Sequence, residues 1–227
     1  LTNQQAWAAH HPSRQTIDVV LWQPFHFGGL EQWALSLAKH WERCALVMQE
    51  TSNFDPRLRA SFPGAVLDLQ SALELEKPIL LSCVSNASQF LPRKRKPPCI
   101  AVVHGICSYT RDWLLSSLEV ADDIVAVSAL VAQHLEDWTG RPCIVIENGV
   151  ELDRLVATCS RDACRVRFGI PSDAFVVAYT GRITAPEKQV SKIIEALQFD
   201  SQAWLLIAGW QIDNRLSTWA KKYGVSD

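Results

Sequence analysis

Apolar and polar residues alternate along the chain in a pattern that predicts a regular succession of strands and helices. Nine apolar runs have the length of strands, and their continuous apolar character favours strands covered on both faces, as in a parallel sheet. These runs are residues 17–22, 45–48, 65–69, 78–83, 99–105, 123–128, 143–148, 175–181 and 203–210.

Between the runs, apolar residues recur with the spacing of an amphipathic helix. Residues 30–37 and 190–197 each carry apolar side chains at positions i, i+3, i+4 and i+7. Further helices are predicted for 109–120, 129–138, 161–168 and 213–223. The alternation of strands and helices predicts an α/β fold with right-handed crossovers.

A domain boundary is predicted within residues 168–175, FGIPSDAF. A helix should end at Gly169, and Pro171 cannot continue it. Residues 1–171 then hold seven strands, which is enough for a complete doubly wound domain. Residues 172–227 hold two strand–helix units, fewer than a sheet of this class usually has, so we expect an incomplete second domain.

Composition narrows the class of protein. Apolar residues make up 48% of the 227 residues and charged residues 20%, as in a soluble globular protein. The net charge of -2 gives no reason to expect nucleic acid as a partner. No apolar run approaches the roughly eighteen residues of a membrane span, and no secretory leader is visible. The seven cysteines form no CxxC pair, which favours a reducing cytoplasm.

Two adjacent glycines, Gly28 and Gly29, stand between the first strand and the first helix. In open α/β sheets, ligands bind at the carboxyl ends of the strands. A glycine there lets a phosphate or sugar approach the backbone and the helix N-terminus. A tight packing turn would explain the glycines equally well. The GxGxxG dinucleotide fingerprint is excluded because no third glycine follows, and no phosphate-binding P-loop motif is present.

His104 closes the fifth apolar run and is followed by Gly105. A histidine at this edge can act as a general base, orient a hydroxyl or bind a phosphate. A hydrogen-bonded structural histidine is the alternative. The Asn148-Gly149 turn also follows a strand and fits a loop that faces the same edge.

Arg182 and Lys188 lie between a strand end and the start of an amphipathic helix. An arginine fork and a lysine beside a helix N-terminus suit a diphosphate. Solvated surface cations are the alternative, although a lysine at a helix start opposes the helix dipole.

In their order and spacing, these motifs resemble glycosyltransferase family four, the retaining nucleotide-sugar enzymes of the GT-B fold. The matching segments are FGGLEQWALSLA, the HG pair after a central strand, IVAVSALVAQHL, IVIENGVELDRL, TGRITAPEKQVSKIIEAL and AWLLIAG. The resemblance implies a Rossmann-like N-terminal domain on the acceptor side and the first part of a second Rossmann-like domain that binds the sugar nucleotide.

The resemblance also implies an activity. The enzyme would move a hexose from a UDP- or GDP-sugar to a hydroxyl acceptor (glycan, lipid-linked or small molecule) with retention, using no cofactor and no catalytic metal. By resemblance, Gly28 and Gly29 lie near the donor phosphates or the transferred sugar. His104 matches a catalytic histidine of the cleft, and Arg182 and Lys188 match the basic pair that neutralises the leaving diphosphate.

Two departures accompany the resemblance. Gln189 stands where the family commonly has glycine. The family's acidic motif, two glutamates eight apart, is expected after Asp227, so we expect this chain alone to lack part of the donor site. A non-catalytic binding or partner module is therefore the alternative function.

A basic, proline-bounded segment, residues 92–98, has two main interpretations, and a nucleic-acid contact is a third that one short patch in a near-neutral chain supports only weakly. It would contact anionic lipid head groups in a cytoplasmic, membrane-associated enzyme, or it is a solvated loop of a freely diffusing one.

Overall fold

The computed structural model describes most of the chain as two units. The described residues are 17–23, 29–41, 43–48, 60–82, 87–92, 96–106, 111–183, 188–209 and 215–225. Packing divides the chain into Leu1–Glu151 and Leu152–Asp227, called unit 1 and unit 2 below. In the described part, no helix is long and apolar enough to cross a membrane.

Unit 1 is built on a sheet of seven parallel strands. The sheet order is β3-β2-β1-β4-β5-β6-β7, so the chain moves outward from β1 in one direction and then returns to build the other side. The strands are β1 Val19–Gln23, β2 Cys44–Met48, β3 Ala65–Leu67, β4 Ile79–Ser82, β5 Cys99–Val103, β6 Asp123–Ala126 and β7 Ile144–Val145.

The central strands are apolar on both faces because successive side chains point to opposite sides of a strand. In β1, Trp22 packs with Leu81 on one face, while Leu21 packs against Ala34 on the other. Complete burial of such a side chain is worth about 1.5–3 kcal/mol. The two covered faces explain the unbroken apolar runs in the sequence.

The α-helices of unit 1 whose bounds lie within the described residues are α1 Gly29–His40, α2 Leu69–Glu74, α3 Arg111–Leu118 and α4 Ala129–Thr139. Residues adjacent to α4 in the sequence determine where this helix begins and ends. The side chain of Ser128 accepts a hydrogen bond from the Val131 amide, and Gly140 ends the helix in the left-handed conformation with φ 66°.

The described part of unit 2 contains two parallel strands, β8 Phe175–Thr180 and β9 Ala203–Ala208, with three α-helices. The helices are α5 Arg161–Phe168, α6 Val190–Leu197 and α7 Arg215–Tyr223. Ile183, Val190 and Ile194 form its buried core. The largely buried Arg165 of α5 donates hydrogen bonds to the carbonyl oxygens of Pro171 and Ala174, which ties α5 to the segment that leads into β8.

The α/β architecture predicted from the sequence is confirmed, and each of the nine predicted strands overlaps a strand of the structure. One detail differs: residues 65–69 were predicted as a strand, but Asp68 caps a helix that begins at Leu69. Its carboxylate accepts a hydrogen bond from the Ser71 amide, and this cap ends the strand early. The domain limits 1–171 and 172–227 stay a prediction.

Candidate functional site

The carboxyl ends of three neighbouring strands form the candidate site of unit 1. β4 pairs with β1 on one side and with β5 on the other, and all three run parallel. Their carboxyl ends therefore meet at one edge of the sheet, where α/β proteins bind ligands. The N-terminus of α1 begins at this edge with Gly29, and His104 follows β5 there.

His104 packs against α1. Its imidazole meets the indole of Trp33 edge-on, with the ring centroids 4.6 Å apart. Burial lowers the pKa of His104 to about 4, because a desolvated site disfavours the charged form. The ring is therefore neutral at pH 7. Within the described part of the chain, its buried Nε2 has no hydrogen-bond partner.

Ser82 ends β4 close to the same place. It pairs in register with Val102, two residues before His104, so Ser82 and His104 share the face of the sheet that α1 covers. Its hydroxyl is buried and has no hydrogen-bond partner among the described residues. Buried polar atoms are nearly always hydrogen-bonded. Two such atoms at one edge thus indicate a place for a polar group.

Gly29 is not required by packing. A Cβ atom on Gly29 would meet no atom of the described residues within 4 Å, and the same holds for Gly105. Gly64 lies before β3, at the opposite edge, and there a Cβ would fall 2.3 Å from the carbonyl oxygen of Cys44. Glycine is therefore structural at 64, whereas at 29 the described residues leave open space around the backbone. Gly28 lies outside the described residues.

A buried carboxyl side chain stands in the first turn of α1. Glu31 is only 3% exposed, and its position places its charge near the positive end of the helix dipole. Trp33, two residues further along α1, makes the contact with His104. Sequence periodicity treats Trp33 as a core position and gives no signal that Glu31 is buried.

The far end of α1 is anchored by Glu151. The Ser36 hydroxyl donates to Glu151 Oε1 at 2.6 Å, and Lys39 Nζ lies 2.7 Å from Oε2. The Glu151 side chain is 15% exposed, whereas that of Lys39 is 57% exposed. The last residue of unit 1 is thus held against the helix that carries Gly29 and Trp33.

Unit 2 carries the predicted basic residues. Arg182 is exposed and follows β8. The hydroxyl of Tyr179 donates to the Arg182 carbonyl oxygen at 2.8 Å, which fixes the loop. Gly181 has φ +143°, and a Cβ on Gly209 would lie 1.9 Å from the Gly181 carbonyl oxygen. Two glycines therefore allow the backbones to meet at the carboxyl ends of β8 and β9.

Lys188 is exposed and stands just before the N-terminus of α6. The capping residue, Gln189, has left-handed φ 50° and makes no side-chain capping hydrogen bond. The first amides of α6 thus receive no capping bond from Gln189, and free amides at a helix N-terminus can bind anions. The positive φ also gives a physical reason for glycine at this position.

The structure brings Gly29 and His104 to one edge of unit 1, and it places Arg182 and Lys188 at the loop and helix start that follow β8 in unit 2. Sequence reasoning missed Ser82, Trp33 and Glu151. A serine that ends a buried apolar run is a usable signal for the first. The contacts of Trp33 and Glu151 depend on how α1 packs in the folded protein, so the local sequence gives no signal for them. Among the described residues, no group of three His, Cys, Asp or Glu side chains could hold a metal ion.

Comparison with known proteins gives a family and several structural relatives. Residues 27–154 match the sequence profile of Glycosyltransferase Family 4. No curated protein matches the chain significantly.

The structural relatives share the fold at low sequence identity. Anabaena HepE, solved with UDP and glucose, superposes with a TM-score of 0.72 at 18% identity, over 93% of this chain and 67% of HepE. A Rickettsia africae glycosyltransferase gives 0.63 at 16% identity, over 92% of this chain and 64% of the enzyme. Staphylococcus aureus MnaA, solved with UDP, gives 0.56 at 13% identity, over 93% and 66%. The chain thus spans about two thirds of the length of these proteins.

Proposed function

We propose a reaction for this protein on the premise that the chain belongs to glycosyltransferase family 4, whose profile matches more than half of its residues. The protein transfers a hexose from a nucleotide diphosphate sugar to a hydroxyl acceptor, with retention of configuration. UDP is the proposed donor nucleotide, because HepE has been solved with UDP-glucose and MnaA with UDP.

One observation supports the proposal. At a single edge of unit 1, two buried polar atoms without hydrogen-bond partners among the described residues lie on the same side of the sheet as a glycine that no described residue packs against. His104 Nε2 and the Ser82 hydroxyl are buried and have no hydrogen-bond partner in the described residues. Gly29 adds room beside the N-terminus of α1. A sugar, with many hydroxyl groups and no net charge, is a suitable occupant for such a place.

In the proposed reaction, the bond between the anomeric carbon and the diphosphate oxygen breaks, and a bond from that carbon to the acceptor oxygen forms. The acceptor proton passes to the leaving diphosphate. His104 is neutral at pH 7, since burial holds its pKa at about 4. Such a weak base suits orientation of a substrate hydroxyl by hydrogen bonding better than proton removal.

Unit 2 supplies the charge that the leaving group requires. Arg182 and Lys188 neutralise the diphosphate, and the uncapped start of α6 adds backbone amides. We assign residues 172–227 to the beginning of the donor domain and residues 1–171 to the acceptor side. Gly28 is proposed to act with Gly29. We place the enzyme in the cytoplasm, with segment 92–98 as a contact for anionic lipid.

Calorimetric titration with UDP tests the donor assignment. Arg182→Ala should weaken UDP binding about tenfold or more, because a hydrogen bond to a charged group contributes roughly 1.5–3 kcal/mol. Arg167→Ala, a change of an exposed arginine on α5, is the matched control and should bind UDP like the wild type. Equal affinity of the two variants, or no UDP binding by a full-length version of the protein, would contradict the assignment. UDP binding without transfer to any acceptor would favour a non-catalytic module.

A further inference from the structure

Cys159 and Cys164 occupy two positions that helix capping brings together. Ser160 caps α5: its hydroxyl accepts a hydrogen bond from the Ala163 amide at 3.2 Å, and its carbonyl oxygen accepts one from the Cys164 amide at 3.1 Å. Cys159 precedes the cap and Cys164 is the fourth helical residue. These are the two positions of the hydrophobic staple, whose side chains pack against each other.

Two thiols replace the usual apolar pair of this staple. The neighbouring Cys159 thiol, followed by burial, raises the pKa of Cys164. Cys164 therefore keeps its proton while it lies beside Cys159. Cys159 is exposed and precedes the N-terminal cap of α5, so a small disulfide can reach its sulfur.

The remaining described cysteines offer no comparable site. Cys44 and Cys99 are buried, and Cys143 is half-buried. Burial raises the pKa of Cys44 to about 11, and desolvation also raises that of Cys143. Among the described thiols, Cys159 is thus the exposed one, and Cys164 occupies the paired position of the staple.

We propose that Cys159 and Cys164 form a reversible thiol–disulfide site that low-molecular-weight disulfides oxidise. The Cys159 thiolate attacks a disulfide such as glutathione disulfide and releases one glutathione thiolate. Cys164 then loses its proton and attacks the Cys159 sulfur of the mixed disulfide, which releases the second glutathione. The protein loses two electrons and two protons, and the oxidant becomes two thiols.

Oxidation would close a short loop around the Ser160 cap and pin the first turn of α5. The proposal is independent of the transferase assignment, because it rests on residues outside the candidate site and its readout requires no substrate. In a reducing compartment the pair stays as two thiols, and a shift towards oxidising conditions converts it into a disulfide.

Peptide mapping under non-reducing conditions tests the proposal. The folded protein is treated with glutathione disulfide, alkylated and digested with trypsin, which cuts after Arg154, Arg161 and Arg165. A Cys159–Cys164 disulfide joins peptides 155–161 and 162–165 into one species that dithiothreitol separates. We expect this species as the main oxidation product.

Single substitutions separate the role of Cys159, which attacks the oxidant, from that of Cys164, which closes the disulfide. Cys164→Ser should trap glutathione on Cys159, whereas Cys159→Ser should abolish both products. Ser160→Ala, which removes the side-chain cap but keeps both thiols, should slow the formation of the linked species. The proposal would be overturned if the wild type accumulated glutathionylated Cys159 without the linked species, if Cys159 joined another cysteine, or if Ser160→Ala left the rate unchanged.

Discussion

The buried imidazole of His104 makes the stability of the protein depend on pH in a defined window. Its pKa is about 4 in the folded protein and about 6.5 in an unfolded chain. Between these values the unfolded chain binds more protons, so the free energy of unfolding falls as the pH falls from about 6.5 to 4. Above pH 7 this histidine adds no pH dependence.

His104→Phe isolates this effect, because phenylalanine keeps a ring against Trp33 and does not titrate. Urea unfolding at pH 7 and pH 5 should show a smaller loss of stability in the variant than in the wild type. Paired carboxylates such as Asp18 also destabilise the fold on acidification, since its hydrogen bond with Arg43 lowers its pKa, but they act equally in both proteins. An identical loss would contradict the burial of His104 as a neutral group.

Gln189 is a strained residue at the start of α6. A left-handed conformation costs a residue with a Cβ roughly 1–2 kcal/mol, and Gln189 adopts φ 50°. Gln189→Gly should therefore stabilise unit 2 by about 1 kcal/mol, measured by chemical denaturation. Gln198→Gly at the other end of α6, where φ is -60°, is the control and should not stabilise. Stabilisation by both variants, or by neither, would contradict the strain.

At the scale of elements, the carboxyl ends of β8 and β9 meet so closely that no side chain fits at Gly209. Gly209→Ala should destabilise unit 2 by about 2 kcal/mol or more, because its Cβ would collide with the Gly181 backbone. Gly149→Ala, where a Cβ meets nothing within 4 Å, is the control and should leave stability nearly unchanged. Thermal unfolding of the two variants measures the difference. Similar melting temperatures would show that the two backbones separate readily.

The position of α1 is also fixed by contacts with other elements of the fold. The helix contacts His104 through Trp33 near its start and binds Glu151 near its end. These contacts join residues far apart in the sequence, so local periodicity cannot predict them. The helix itself, by contrast, was predicted from the spacing of apolar residues 30–37, because that pattern needs only the helical repeat.

At the scale of the whole molecule, the two units differ in how completely their sheets are built. β1, β4 and β5 each have a neighbouring strand on both sides, whereas β8 and β9 pair only with each other among the described strands. A two-stranded sheet is marginally stable without further packing. Unit 2 also exposes large apolar side chains, among them Phe175 and Trp204.

We therefore expect unit 2 of this chain to open more easily than unit 1. In hydrogen exchange, amides of β8 and β9 should exchange faster than those of β1, β4 and β5, because local opening exposes them without global unfolding. Mass spectrometry of peptides that cover each strand measures the order. Equal protection in both units would show that they unfold together, as one cooperative body.

The sequence by itself determined the architecture and the motifs. Apolar runs and helical spacing depend on nearest neighbours along the chain, so they predicted nine strands, the main helices and the carboxyl-edge positions of Gly29 and His104. Tertiary structure decided the environment of these residues: the lowered pKa of His104, the lack of a partner for its Nε2 among the described residues, and the open space that those residues leave around Gly29. Burial, hydrogen bonding and close contact depend on which distant segments meet, and local patterns do not encode that.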